Sequence, residues 1–334
     1  MHFALDEQIA SQPEAVRNLL QRLEVPELNL QRPLIFTGIG TSLHACRVAA
    51  TWVTILTAGG VRPVAINAHS LALNTLLRSI DQVVVVSHRG TKQFPRAVLD
   101  RARHMGAATV AIVGEDAPEP EADTIIRTCP NERSGTFTVS YITALVALGH
   151  LVAHCVGSRG EALLSAFATV AEAIEQTLAL PTPVVQAERI AGREPLLITG
   201  FALDAVTAAE AALKLKEGTY RWAEGMEVEM ALHGPPAAFR AGMGAITITP
   251  ASDDGGRTQA LRTLLHDLGV EALTCGEQDE DLRFAQVSQL IRPLVAIVPL
   301  QRLTAECARI SGTNPDDIHR DVEPWKTAME RVVL

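Results

Sequence analysis

The densest set of polar residues in an otherwise apolar chain is Lys214-Leu215-Lys216-Glu217, followed sixteen residues later by His233-Gly234-Pro235. On a helix, Lys214 and Glu217 stand three apart and share a face. A carboxylate beside an ammonium group can take and return a proton, and burial raises its pKa toward the working range. The plainer reading of the same spacing is a solvated helix end carrying a surface ion pair. His233, just before Gly-Pro, is expected where a helix stops and the backbone turns, a place where a lone His more often caps or packs than catalyses. His150 and His154 form an i,i+4 pair, a spacing that metal ligands use. The run H-L-V-A-H lacks the glutamate of a zinc protease motif and lies in an apolar helix, so the pair reads as structural and no metal is expected.

Two further clusters suit an anion. Gly38-Ile39-Gly40-Thr41-Ser42 lacks the third glycine of a dinucleotide fingerprint. It offers hydroxyls and backbone N–H groups at a helix start, which suits a phosphate. Ser87 and Thr91, with Arg89 and Lys92 between and beside them, end another buried strand. Two such turns at the carboxyl edge of one sheet point to a sugar phosphate.

The elements that must position these residues alternate. Leu34–Thr37, Arg62–Asn67, Gln82–Ser87, Ala108–Val113 and Thr124–Thr128 read as strands. Helices are expected from the 41–42 turn to about Thr57, from Gln93 to Met105, and over 138–156. Before them, Asp6 to Leu23 is helical, with Pro13 expected to open a second helix. After a helical stretch broken by Pro181 and Pro183, the pattern restarts. Strands are expected at Leu196–Thr199, Gly244–Thr249, Val270–Thr274 and Leu294–Val298, with helices at Ala205–Gly218 and Gln301–Ser311. QVVVVS has no alternation, as expected of a strand buried on both faces. Strand and helix in alternation mean a parallel sheet flanked by helices. The expected organisation is an α/β fold of two similar domains in tandem: 1–157 with the N-terminal helices, a helical connector at 158–191, and 192–334 with a C-terminal tail.

Composition fits this. At 334 residues the chain suits about two domains of ~150 residues each. With 47% apolar residues there is ample material for two cores, and a net charge of −9 argues against a surface-wide nucleic-acid footprint. Aromatics at 4% are too few for a base-stacking platform. Cys46, Cys129, Cys155, Cys275 and Cys307 are scattered without a CxxC pair and read as reduced core thiols. The first residues show no basic start or apolar run of a signal peptide, and the apolar stretch Tyr141 to Val156 is too short to span a bilayer. The expectation is a cytoplasmic protein, with no membrane or nucleic-acid partner.

The run ALKLKEGTYRWAEGMEVEMALHGP (212–235) resembles the isomerase module of glutamine–fructose-6-phosphate aminotransferase, the glucosamine-6-phosphate synthase family. EQIASQPEAVRNLL (7–20), GIGTSLHA (38–45) and PLQRLTAECARISGTNPD (299–316) resemble, in order, that module's opening helix, its first GTS turn and its closing helix and turn. The resemblance spans essentially the whole chain and implies two tandem sugar isomerase (SIS) domains. It also implies roles. Glu217 matches the base that moves a proton between C1 and C2, Lys214 the lysine beside it, and His233 the histidine that opens the sugar ring in the neighbouring subunit's site. Thr41, Ser42 and Ser87 match phosphate- and sugar-binding positions. Lys326, the only lysine after Lys216, stands for the family's tail lysine as a Schiff-base or ring-opening group, although the residues around it differ. The family needs neither metal nor cofactor for this chemistry, and its cross-subunit histidine implies a homodimer.

Departures sharpen the expectation. The chain starts where the isomerase module starts, without a glutaminase domain or a nucleophilic cysteine near residue 1, so glutamine hydrolysis is not expected of it. The family's phosphate loop reads close to S-Q-S-G-E-T, whereas here it is Ser87-His88-Arg89-Gly90-Thr91-Lys92. Phosphate can still bind there, now beside fixed positive charge. The expected activity is a sugar-phosphate isomerase or aminotransferase-type enzyme on a ketose or amino-sugar 6-phosphate, using or releasing free ammonia, or served by a separate ammonia-supplying protein. The alternatives are a fructosamine-phosphate deglycase and a regulator that binds sugar phosphate without turning it over. Lys214, Glu217 and His233 together favour an enzyme, since a pure sensor has no need of them.

Overall fold

The computed structural model describes residues 2–332. In chain order the elements of the first half are α1 (Ala4–Arg22), β1 (Leu34–Gly38), α2 (Thr41–Leu56), β2 (Val64–Asn67), α3 (Ala68–Asn74), β3 (Gln82–Val86), α4 (Gln93–Met105), β4 (Ala108–Val113), β5 (Thr124–Arg127) and α5 (Val139–Cys155). Three short helices follow, α6 (Glu161–Phe167), α7 (Val170–Leu178) and α8 (Val184–Ile190). The second half comprises β6 (Leu196–Gly200), α9 (Leu203–Thr219), β7 (Ala223–Glu227), α10 (Val228–Leu232), β8 (Gly244–Ile248), α11 (Arg257–Asp267), β9 (Glu271–Gly276), β10 (Leu282–Arg283), α12 (Arg292–Val295), α13 (Ile297–Ser311) and α14 (Trp325–Glu330).

Both sheets are five-stranded and parallel. Their orders are β2-β1-β3-β4-β5 and β7-β6-β8-β9-β10, the same succession of second, first, third, fourth and fifth strand. The chain forms two compact units. One holds the first sheet, in residues 14–132 and 139–168 with the tail from 322; the other holds the second sheet, in 169–321 with the N-terminal residues to Pro13 and 133–138.

The inner strands β1, β3, β6 and β8 are buried at every residue, which is why they read as unbroken apolar runs. On one face of the first sheet, Ile35, Val83 and Val85 pack with Val98, Leu99 and Ala102 of α4. In the second, Leu197 and Ala245 pack with Val228 and Ala231 of α10 and Leu261 and Leu265 of α11. Each Val, Leu or Ile buried in this way contributes about 1.5–3 kcal/mol.

Three expectations are corrected. α1 runs unbroken through Pro13. A proline inside a helix removes one ladder hydrogen bond, but the buried stripe Leu5, Ile9, Val16 and Leu19 holds the helix together. Leu294–Val298 is helical, not a strand. A five-residue apolar run does not distinguish a buried strand from a buried helix, and Pro293 in the first turn of α12 starts a helix well. The fifth strand is the two-residue β10 instead. β7, an edge strand of sequence AEGME, carries no strand signal in its residues. Its place is set by α9, which packs so closely that a Cβ on Gly225 would stand 2.3 Å from the Ala208 carbonyl oxygen.

Candidate functional site

α9 is buried almost all round, yet it carries Asp204, Glu210 and Lys214 among its buried residues. Glu210, Lys214 and Glu217 lie on one face at i, i+4 and i+7. Lys214 Nζ donates to Glu217 Oε2 at 2.7 Å and lies 3.5 Å from Glu210 Oε1. The side chains of Glu210 and Lys214 are 0% and 1% exposed, that of Glu217 25%. The surface ion pair is therefore excluded: this is a buried ammonium between two carboxylates, of which Glu217 alone reaches solvent. Burial raises the pKa of Glu217, Lys214 pulls it down, Glu210 adds to the rise and Arg320 opposes it. A carboxylate with a raised pKa, held in place by an ammonium group, can accept a proton and give it back. Glu210 escaped the sequence reading, although its position four residues before Lys214 was the available signal.

His233 caps the C-terminus of α10, and Gly234 turns the chain with φ 89°. Its exposed ring bonds through Nε2 to Glu229 Oε1 at 2.7 Å, and Glu229 also pairs with Arg257. The Arg257 and His233 bonds hold the Glu229 carboxyl below its ordinary pKa. An ionised carboxylate only accepts, so Nε2 is the donor in this bond and Nδ1 is left to face other partners. Phe201, Glu227, Val228, Asp254 and Arg257 form an open cleft around His233, about 550 Å³ in volume. Sequence reasoning missed Glu229 and Arg257.

Glu217 and His233 are not brought together within the unit. α9 leaves the carboxyl end of β6 and returns to the amino end of β7, so Glu217, two residues before the helix ends, lies at the amino edge of the sheet. His233 follows the carboxyl end of β7, among residues that follow β6 and β8. The five residues of β7 put about 16 Å between the two edges.

In the first unit, the expected anion residues meet at the carboxyl edge of the adjacent strands β1 and β3. Thr41 and Ser42 open α2 behind Gly40, whose φ of 56° and ψ of −127° favour glycine. Ser87 is buried, and its carbonyl accepts from the N–H of Gly90, itself at φ 65°, to close the 87–90 turn. Arg89 and Lys92 are half-buried, Thr91 is exposed, and Lys92 precedes the first turn of α4. This edge is the point where the strand order reverses, the usual place for a ligand on an open parallel sheet. The His88 ring packs on Gly114, and burial lowers its pKa. Lys326 lies in α14, in the tail that groups with this unit. His150 and His154 sit on one face of α5, with His150 against Phe167. The five cysteines form no disulfide. Among the described residues, no helix is long and apolar enough to cross a membrane.

Two five-stranded parallel units of identical strand order, each flanked by helices, make the fold that of tandem sugar isomerase (SIS) domains. The chain resembles the isomerase part of glutamine–fructose-6-phosphate aminotransferases. That of Pyrococcus horikoshii is 26% identical over 94% of this chain and 56% of its own length, and that of Pyrobaculum aerophilum is 28% identical over the same shares. The chain thus spans little more than half the length of these relatives. Among solved structures, the C-terminal domain of glucosamine-fructose-6-phosphate aminotransferase from Francisella tularensis superposes with a TM-score of 0.83 at 22% identity, over 95% of this chain and 98% of that one. A glucosamine-6-phosphate deaminase from Thermotoga maritima gives 0.70 at 16% identity, over 94% and 95%. No family model matches the chain.

Proposed function

We propose that the chain is a sugar-phosphate isomerase of the aminotransferase or deaminase kind, acting on a ketose or amino-sugar 6-phosphate of the fructose-6-phosphate and glucosamine-6-phosphate class. The observation that carries this is the buried Glu210–Lys214–Glu217 set with its single solvent-reaching carboxylate. Isomerisation between a ketose and an aldose moves one proton between C1 and C2 through an enediol-like intermediate. One base able to reach both carbons suffices, and Glu217 has that form. Glu210 and Lys214 position it. In this reading His233, through Nδ1, relays the proton between the ring oxygen and the anomeric hydroxyl when the sugar opens. Thr41, Ser42, Ser87 and the 89–92 turn hold the phosphate, and Lys326 is the tail lysine that assists at the carbonyl.

The placement of Glu217 and His233 on opposite edges of one sheet supports a homodimer in which His233 serves the partner's Glu217. A second reading rests on Arg89 and Lys92. Their charge exceeds what a phosphate loop of serines and threonines provides, and it favours a ligand with a further anionic group, such as a fructosamine phosphate carrying a carboxylate, from which the enzyme would release the amine.

The test is turnover of three probes: fructose 6-phosphate with ammonium, glucosamine 6-phosphate, and a fructosamine 6-phosphate, followed by ammonia or amine taken up or released. Turnover of one of them, lost about 10²–10⁴-fold in a Glu217→Gln variant that still unfolds in a single cooperative transition, is expected. Tight binding of a probe without turnover would make the protein a regulator.

A further inference from the structure

The two units repeat one another down to a single turn. β1 ends in Thr37-Gly38 and β6 in Thr199-Gly200. Gly40, at φ 56° and ψ −127°, and Ala202, at φ 53° and ψ −120°, then make the same step into α2 and α9. In both cases the last glycine of the strand lies against the first turn of the helix. A Cβ on Gly38 would stand 2.7 Å from Ser42 Cβ, and one on Gly200 2.3 Å from the Asp204 carbonyl oxygen. The next turn repeats as well: the N–H groups of Ser87 and Thr249 donate across to Ile112 and Cys275 at 3.0 and 2.8 Å. Asp204 is therefore the counterpart of Ser42, and Thr249 that of Ser87.

At the second sheet this crevice is filled from within. Arg292 Nε donates to both Asp204 carboxylate oxygens at 3.2 Å, and Nη2 donates to Asp204 Oδ2 at 3.0 Å and to the Thr249 carbonyl at 2.8 Å. Its Nη1 bonds Glu277, just beyond β9, and the guanidinium lies over the Phe284 ring. The side chains of Asp204 and Arg292 are each 4% exposed. An arginine thus gathers the start of α9 and the ends of β8 and β9 around one carboxylate, at the point where the strand order reverses between β6 and β8. Ala202 keeps a backbone conformation suited to glycine, which fits a ligand turn retained after its ligand was replaced.

We infer that Asp204 is a resident anion occupying the oxyanion site of the second sheet, so that the chain takes external phosphate at the first sheet alone. Removal of the Asp204 carboxylate exposes a small-oxyanion site on Arg292. The part concerning the first sheet rests on the phosphate reading above; the part concerning Asp204 does not. A buried ion pair with no such ancestry would instead collapse on truncation and leave no anion site.

Two measurements test it. Equilibrium dialysis of labelled inorganic phosphate against the wild-type chain is expected to give at most one phosphate per chain. A second phosphate, lost in Arg292→Met, would overturn the inference, whereas zero would count against the first-sheet reading only. Melting of Asp204→Ser is then compared in formate and in chloride at equal ionic strength. Formate, which restores the missing carboxylate, is expected to raise the melting temperature saturably, well beyond its effect on the wild type. The added response should vanish in Asp204→Ser/Arg292→Met. A variant equally stable, or equally unfolded, in the two salts overturns the inference.

Discussion

Glu217 owes its chemistry to where α9 places it. With burial as the largest influence, its pKa lies above the ordinary carboxylate value. If Glu217 is the base of the proposed isomerisation, its ionised form is the active one, and kcat/KM is expected to rise with pH through this raised pKa and to fall on its acid side. Stability has the opposite sense. The folded state binds this proton more tightly than the unfolded chain, so the stabilisation is complete below the unfolded pKa and is lost as pH rises through the folded one. Comparing melting temperature against pH for the wild type and Glu217→Gln checks the sign: the variant should lack that decline.

At the scale of elements, β7 shows what local signals omit. Its residues include two glutamates and a glycine, and only the close packing of α9 makes it a strand. Gly225→Ala places a methyl against the Ala208 carbonyl. It is expected to cost about 1–3 kcal/mol, read as a drop of several degrees in melting temperature, while Gly192→Ala, where a Cβ meets nothing within 4 Å, should cost little. The strands Ala108–Val113 and Gln82–Val86 and the helix Gln93–Met105 were legible because the run, the turn and the periodicity agree there. Leu294–Val298 was not, since burial from all sides erases the period that separates helix from strand. The same burial hid the nature of the Lys214–Glu217 pair. Spacing shows that two side chains share a helix face, but not that the face points inward, and so Glu210 was overlooked beside them.

For the whole molecule, the opposite placement of Glu217 and His233 on one sheet makes a stringent prediction. If His233 completes the site of a second copy, Glu217→Gln and His233→Ala are each inactive alone. A co-expressed mixture forms some dimers in which one site carries both changes and the other none. Random pairing should then restore about a quarter of wild-type activity. A mixture no more active than its components would place both groups in separate or single-chain roles.

Deuterium exchange reads whether Glu217 carries the proton between C1 and C2, without needing the amine. Fructose 6-phosphate is incubated with the protein in D2O, and label at C1 of the ketose and at C2 of the aldose formed from it is followed by NMR for the wild type and for Glu217→Gln, each also checked for cooperative unfolding. The wild type should incorporate deuterium, and the variant should do so about 10²–10⁴-fold more slowly while remaining cooperatively folded at the assay temperature. Exchange at the wild-type rate in Glu217→Gln, or none in the wild type, would contradict the assignment of Glu217 as the base acting on this sugar phosphate.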